Sequence, residues 1–418
     1  MLVCERRIRY TFPMAKNRKD YDVAIVGAGP AGAHLAARLA QAGARVALFD
    51  PKAPWEKPCG GGITHKAWSR FPFLTNPELP RNEVLRSLQV TSNGRFFVID
   101  QGHPLFIVSR LDLSRMMLNM ADRAGAEHIP LAVDHVETWD RQTRLKAGSE
   151  RFFADFVVGA DGVHSVVRRY FLGPLPKERV LSAILQMVEG GPDDPTMLQV
   201  TPFPGYAWAF ARRNCLCVGA GATEHGHALK PALDQFMKKF FPDRKPLGEL
   251  RGAPLPFLNG REYYREPRAG PHWALIGDAA GFCDTLTGEG ILYAIWSADL
   301  LADAYLRGAP AAYDAAWRKS FGWHLRTGAW ASSHFFSPRK IDLLFTAITV
   351  CPTLRGQMTD YIWNLPPYHL LARRALRNLP KIRREWRQFK KAGGRVDVSA
   401  LGPFQNMADK LQLVWGET

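Results

Sequence analysis

The sequence predicts an α/β fold in which a domain built on a parallel sheet is interrupted by an inserted antiparallel β-sheet and followed by a helical C-terminal region. Three observations predict it. An apolar run near the start enters a glycine-rich turn and then a helical pattern; two further strand-to-turn segments carrying a glycine–aspartate pair recur far downstream; and the stretches between them alternate apolar residues with turn formers.

The first segment reads Val23-Ala-Ile-Val-Gly27-Ala-Gly29-Pro30-Ala31-Gly32 and continues into the helix-like AHLAARLAQAG. Glycine is required where the turn is tight, where backbone approaches a pyrophosphate, and where helix packs on strand. The helix N-terminus then offers free N–H groups and a positive dipole end to phosphates. A second strand, ARVALFD, ends at Asp50, 18 residues beyond Gly32 and just before Pro51. An acid placed there accepts hydrogen bonds from a ribose diol. A glycine fingerprint alone also arises for packing reasons, but strand, helix and terminal acid in register select a dinucleotide.

The second segment, Arg151-Phe-Phe-Ala-Asp-Phe-Val-Val-Gly-Ala-Asp161-Gly162, runs a strand into a turn, and the third, His272-Trp-Ala-Leu-Ile-Gly277-Asp278, does the same. Taken singly, Asp161 reads as a turn former and Asp278 as a helix N-cap. Taken together with the first, their order and separation resemble the FAD-dependent hydroxylase and reductase superfamily. The resemblance implies FAD as cofactor, with Asp278 holding the ribityl chain and the Asp161-Gly162 turn near the pyrophosphate. The fold it implies is a Rossmann-like FAD-binding domain with an inserted antiparallel β-sheet substrate domain and a helical C-terminal region.

Lys57-Pro58-Cys59-Gly60-Gly61-Gly62-Ile63 and Leu286-Thr287-Gly288-Glu289-Gly290-Ile291 both resemble the geranylgeranyl reductase family of flavoproteins. Gly205-Tyr206-Ala-Trp208-Ala-Phe210 is similar to that family's Tyr-x-Trp-x-Phe-Pro element, with Ala211 in place of the proline and Phe203, between Pro202 and Pro204, where another proline is expected. The resemblance covers roughly residues 20 to 310. Beyond that, no motif is matched.

Several roles follow from the residues and this resemblance. Gly288-Glu289-Gly290 opens the helix-like ILYAIWSADLLADAYL, whose first N–H groups, near Gly290 and Ile291, can face the flavin's N1 and C2 carbonyl and stabilise negative charge there. Glu289 opposes this if its carboxylate faces the same locus; as a first-turn residue it can instead point to solvent. Cys59 belongs to no helical or strand period and is presented on a loop, where a thiol can donate a proton or respond to redox state, or simply pack. The three glycines after it are expected to let backbone lie flat against the isoalloxazine. In the resembling families an arginine placed like Arg110, at the start of a helical pattern, reaches the cofactor's phosphate and ribose region; a solvated helix-start arginine is the alternative. Tyr206, Trp208 and Phe210 alternate, so a strand aims all three at one face. They read as a sheet core from periodicity and as a wall for an isoprenoid chain from the resemblance.

At 418 residues and 46% hydrophobic the chain buries a large core. The expected FAD-binding domain is discontinuous, at 20–83, 101–178 and 259–310; the substrate sheet takes 84–100 and 179–258; the helical basic region takes 311–418; and 1–19 form a disordered lead, with Met14 an alternative start. Six cysteines, Cys4, Cys59, Cys215, Cys217, Cys283 and Cys351, show neither Cys-x-x-Cys nor zinc spacing, so no metal and a reducing cytoplasm are expected. No apolar run reaches the roughly 18 to 20 residues of a spanning helix. The net charge of +16 concentrates in 373–391, RRALRNLPKIRREWRQFKK, where nine basic residues surround Trp386 and Phe389. That composition suggests peripheral contact with the inner face of a membrane, with an ordinary solvated helix as the alternative; no nucleic-acid motif accompanies it.

The leading function is reduction of carbon–carbon double bonds in a polyprenyl group by N5 hydride transfer plus protonation, the acid being a positioned water, Tyr206 or Cys59; Glu289 is the remaining catalytic candidate. The runner-up is an oxygen-using hydroxylase or epoxidase, followed by a halogenase. A non-catalytic prenyl carrier is a third class. No second nucleotide fingerprint identifies the electron donor, which is NAD(P)H or a ferredoxin-type partner.

Overall fold

A computed structural model describes residues 19–139, 142–222, 226–259, 262–335, 338–364, 368–393 and 398–411. Almost all of the expected lead at 1–19 lies outside these residues. The first sheet has parallel strands in the order Glu127–Ile129, Val46–Phe49, Lys19–Val26 and Glu150–Gly159, with Trp273–Leu275 beside the last. Val23, Ala24 and Ile25 have no exposed surface, because helices cover the sheet, as the apolar run demands. On its edge away from Lys19–Val26, the strand Glu150–Gly159 serves two neighbours: its first half pairs antiparallel with Gln142–Ala147, and its second half pairs parallel with Trp273–Leu275. Helix Pro30–Gln41 packs on helices Ile291–Leu306 and Arg110–Arg123. Arg38 and His34 pin the first pair through Asp303 (2.9 Å) and Asp299 (3.1 Å).

The second sheet has eight strands, in the order Arg251–Pro256, Val180–Val188, Leu216–Ala222, Gly205–Ala211, Met197–Val200, Arg81–Thr91, Phe96–Val108 and Gly62–Ile63. All neighbours are antiparallel except Met197–Val200 with Arg81–Thr91, which run parallel. The strands at 81–91 and 96–108 run wider than 84–100, because the ladder resumes beyond a register shift between Val84 and Arg86, so that Arg81-Asn82-Glu83 pair although they and the polar residues around His103 interrupt the apolar alternation.

Each face of this sheet has its own cover. Helix Leu229–Phe240 lays Leu229, Leu233, Phe236 and Phe240, spaced by three and four, onto Ala207, Ala209, Ala211 and Ala220. On the other face, helices Pro338–Val350 and Pro352–Asn364 pack Ile341, Phe345, Ile348 and Leu354 against Phe97, Ile99 and Leu105, with the Phe345 and Phe97 rings 4.8 Å apart. The C-terminal helices therefore roof the face that carries the aromatic strip. No helix among the described residues is long and apolar enough to cross a membrane.

Candidate active site

Between the two sheets lies one cavity of about 1430 Å³, and every candidate site residue except Gly32 borders it. Gly32 acts one layer back: a Cβ there would meet the Gly27 carbonyl oxygen at 1.8 Å, so it is the residue that lets helix Pro30–Gln41 close on the turn. Gly27, at φ +102°, is hemmed in by the backbone of Ala160 and Asp161. Gly29 has nothing within 4 Å of its Cβ position and opens to the cavity, flanked by Pro30 and Ala31 at the helix start, where no side chain caps the helix. The Asp50 carboxylate accepts from the backbone N–H groups of Ala28 (2.9 Å), Lys52 (2.8 Å) and Ala53 (3.2 Å), so it holds the turn together while it borders the cavity beside Pro51.

The other two turns enter from the strand ends. Asp161 accepts from Val166 N–H (2.7 Å) through Oδ2, while its buried Oδ1 has no hydrogen-bond partner among the described residues. Burial pushes this carboxyl up from the usual aspartate range to about 6, against the opposing pull of Ser165 and Val166. Gly162 borders the cavity next to it. Asp278 does not cap a helix: Ile276 holds that position, Asp278 lies inside the short turn Gly277–Ala280, and its carboxylate pairs with Lys57 at 3.1 Å.

The loop that carries Cys59 is fastened to both halves of the molecule. Glu56 accepts from the Ser109 hydroxyl (2.6 Å) and the backbone N–H groups of Leu111 (3.1 Å) and Arg110 (3.1 Å), at the start of helix Arg110–Arg123. It also pairs with buried Arg212 at 3.0 Å, and Arg212 donates onward to the Cys59 carbonyl at 3.0 Å. Burial alone would raise the Glu56 carboxyl, but Arg212 and Ser109 hold it below the usual glutamate range. The Cys59 thiol behaves likewise: burial pushes it up, and the Arg110 guanidinium, the Gly61 N–H and Lys57 outweigh this and hold it below the usual cysteine range. Arg110 is buried, and its Nε makes no hydrogen bond among the described residues.

The glycines after Cys59 are needed for a different neighbour than the isoalloxazine. A Cβ at Gly60 would lie 2.5 Å from the Phe210 ring, and one at Gly61 would lie 2.1 Å from the Val108 carbonyl oxygen. Their small size lets the loop press onto the second sheet, with Gly62 starting the edge strand.

Glu289 is likewise not where its spacing suggests. It precedes Gly290, the N-cap of helix Ile291–Leu306, and is buried rather than pointed at solvent. Its carboxylate accepts from the Thr64 hydroxyl and forms an ion pair with buried Lys66 at 2.7 Å. That charge is therefore neutralised, and the other carboxylate beside the uncapped helix end at Gly290 and Ile291, that of Asp278, is itself paired with Lys57. A Cβ at Gly288 would stand 2.3 Å from the Tyr206 hydroxyl, so glycine is what admits the tyrosine there.

Tyr206, Trp208 and Phe210 do share one face, and each stands opposite a small residue on the next strand: Gly221, Gly219 and Cys217. Trp208 lies over Gly219, where a Cβ would come within 2.2 Å of its ring. The strip is both core and wall, since all three rings pack with Leu181, Leu185 and Leu255 and also border the cavity. Tyr206 donates weakly to the Thr287 carbonyl at 3.4 Å, and burial, with Cys283 and Cys59 nearby, pushes its phenol up, so it stays protonated. Glu56, Lys66 and Arg212 carry no local sequence signal, because each acquires its role from a partner distant in the chain. No group of His, Cys, Asp and Glu among the described residues is placed to hold a metal.

A flavin dinucleotide fits this arrangement on three observations: the open Cβ position at Gly29, the unpartnered buried Arg110 Nε, and the uncapped helix ends at Pro30 and Ile291. A family model described as pyridine nucleotide-disulphide oxidoreductase matches residues 21–116. Geranylgeranyl diphosphate reductase of Rhodobacter capsulatus is 30% identical over 298 residues, covering 66% of this chain and 72% of the relative. The chain belongs to the geranylgeranyl reductase family of FAD-dependent oxidoreductases. A menaquinone reductase of Mycolicibacterium smegmatis is 29% identical over 354 residues, 78% of this chain and 84% of the relative. The fold is shared with a geranylgeranyl bacteriochlorophyll reductase-like structure from Thermoplasma acidophilum, with TM-score 0.73 and 19% identity over 89% of this chain and 100% of that one. The protein is thus an FAD-dependent oxidoreductase.

Two outcomes are expected of the charged groups. Lys66→Met strands the Glu289 carboxylate in a buried site and should cost about 3 kcal/mol of stability by urea unfolding, while adding Glu289→Gln restores most of it. Asp161 holds its proton more tightly folded than unfolded, so flavin-free protein should lose stability as pH rises from about 4 through about 6. Asp161→Asn keeps an acceptor for Val166 N–H, should flatten that slope, and should be about 1 to 2 kcal/mol more stable than wild type at neutral pH by denaturant titration.

Proposed function

We propose that the protein saturates carbon–carbon double bonds of a polyprenyl lipid of the geranylgeranyl type. The observation that carries this is the continuity of one cavity from the glycine cradle, past the aromatic strip, to an apolar end lined by Phe97, Ile99, Leu198, Ile341, Phe345 and Met358. At about 1430 Å³ it exceeds the roughly 300 to 1,000 Å³ of an ordinary small-molecule site, so there is room for a cofactor and a long apolar chain together. That the Rhodobacter and Mycolicibacterium relatives are a geranylgeranyl diphosphate reductase and a menaquinone reductase supports a reductase of this kind.

Bound FAD supplies a hydride at N5. The chain's own residues do the rest. Lys66 cancels Glu289, so the end of helix Ile291–Leu306 would favour negative charge on a flavin held beside it, which would favour hydride donation. The aromatic strip and the roof helices exclude water from the alkene. An isolated alkene accepts hydride poorly, so a proton must be placed on one of its carbons. Cys59 and Tyr206 both border the cavity. Of the two, Cys59 is the better acid, because Arg110 and the Gly61 N–H lower its thiol while burial raises the Tyr206 phenol. Arg110, the Gly29–Ala31 helix start, the Gly162 and Gly277 turns and Asp278 are the residues that would hold the cofactor.

The test is to incubate reduced protein anaerobically with a geranylgeranylated lipid and weigh the product. A gain of two hydrogens per double bond is expected; a product that forms only with oxygen and gains an oxygen atom instead identifies the hydroxylase chemistry. Cys59→Ser should lower turnover about a hundredfold with flavin content unchanged. Unaltered turnover and pH profile in that variant would transfer the acid role to Tyr206 or water.

A further inference from the structure

The apolar end of the cavity reaches the surface through the C-terminal helices. Trp330 of helix Trp323–Phe335 and Leu344 of helix Pro338–Val350 line the cavity and are also exposed, which places them at its mouth. Ala375 of helix Tyr368–Arg377 lines it from a third side. Next to these residues in sequence, Leu343 and Leu376 are each more than half exposed, and exposed Trp323 lies two turns before Trp330 on the same helical face. Single exposed apolar side chains are ordinary, but five gathered around one opening mark a contact surface.

The surround is strongly cationic. Between 323 and 393 there are thirteen lysines and arginines and three acids. Arg373, Arg374 and Arg377 are exposed beside Leu376, and Arg383, Arg384 and Arg387 are exposed on the following helix, Leu379–Lys391. Trp386 and Phe389 are not part of this display: they are half-buried and packed on each other at 5.7 Å, and neighbouring Glu385 accepts from the Thr353 hydroxyl. The apolar groups offered to a partner are thus those at the mouth.

We propose that this rim is a docking surface for an anionic lipid bilayer, through which a prenyl tail passes into the cavity without crossing water. An apolar rim ringed by arginine matches the layered chemistry of a bilayer surface, acyl chains inside and anionic head groups outside. An acidic protein would satisfy the arginines and leave the apolar mouth without a function. The inference rests on the reading above for the identity of the tail, but vesicle binding is read without turnover.

The experiment is co-sedimentation of the flavin-loaded full chain with substrate-free vesicles of phosphatidylcholine, alone or with phosphatidylglycerol. Binding should favour the phosphatidylglycerol vesicles by about tenfold or more and weaken with salt. Leu343→Asp/Leu376→Asp, which alters no cavity-lining residue, should lower partitioning about tenfold with flavin content and turnover of a short, water-soluble prenyl substrate unchanged. Arg383→Glu/Arg384→Glu/Arg387→Glu should abolish the preference for phosphatidylglycerol. Wild-type partitioning by the Leu343→Asp/Leu376→Asp variant, or equal binding of wild type to both vesicles, would overturn the proposal. Vesicle binding without double-bond reduction would instead count against the substrate reading and leave the docking surface in place.

Discussion

The buried pair Glu56–Arg212 is the joint on which the site depends. Glu56 belongs to the loop after the second parallel strand, its oxygens close the start of helix Arg110–Arg123, and Arg212 follows the strand that carries Tyr206, Trp208 and Phe210. One carboxylate therefore registers three elements: the nucleotide-binding half, the Cys59 loop and the aromatic sheet. Burying two charges gains little net stability, but removing one partner leaves the other uncompensated, so such a pair specifies geometry more than it adds free energy. Arg212 extends that geometry by donating to the Cys59 carbonyl, which sets the loop against Phe210.

From this joint the chamber acquires two unlike ends. At one end are backbone N–H groups, Arg110, Lys57 and the paired Lys66 and Glu289; at the other are Phe97, Ile99, Phe345 and Met358. The aromatic strip runs along the chamber between them and is held at its centre, where the Trp208 ring fills the space above Gly219, while Tyr206 and Phe210 stand opposite Gly221 and Cys217. A flat, ordered wall along which a polar and an apolar end of one chamber adjoin suits a reaction that joins a dinucleotide to a hydrocarbon.

How much of this was legible in the sequence follows from how local each signal is. The three glycine–aspartate turns, their strands and the alternation at 206–210 involve neighbours within a few residues, and the structure brings them to one cavity. The roles of Gly60 and Gly61 were not legible, because the groups they avoid, Phe210 and the Val108 carbonyl, come from another sheet. For Glu289 the sequence left open a carboxylate opposing the flavin locus or one in solvent, because Lys66 lies 223 residues earlier in the chain and no spacing rule links the two. Residues beyond 310 match no motif, yet helix Pro338–Val350 supplies a wall of the chamber, since any amphipathic helix of suitable length can roof a sheet.

The central claim is that the dinucleotide cradle and the apolar end are one chamber. Anaerobic titration of the oxidised, FAD-loaded protein with a geranylgeranylated lipid, following the flavin's visible absorbance, tests it most directly. A saturable perturbation with one lipid per flavin is predicted, because both ligands would share the chamber that Trp208 and Phe210 line. Stoichiometric lipid binding that leaves the flavin spectrum untouched would place the two ligands in separate compartments and contradict the account.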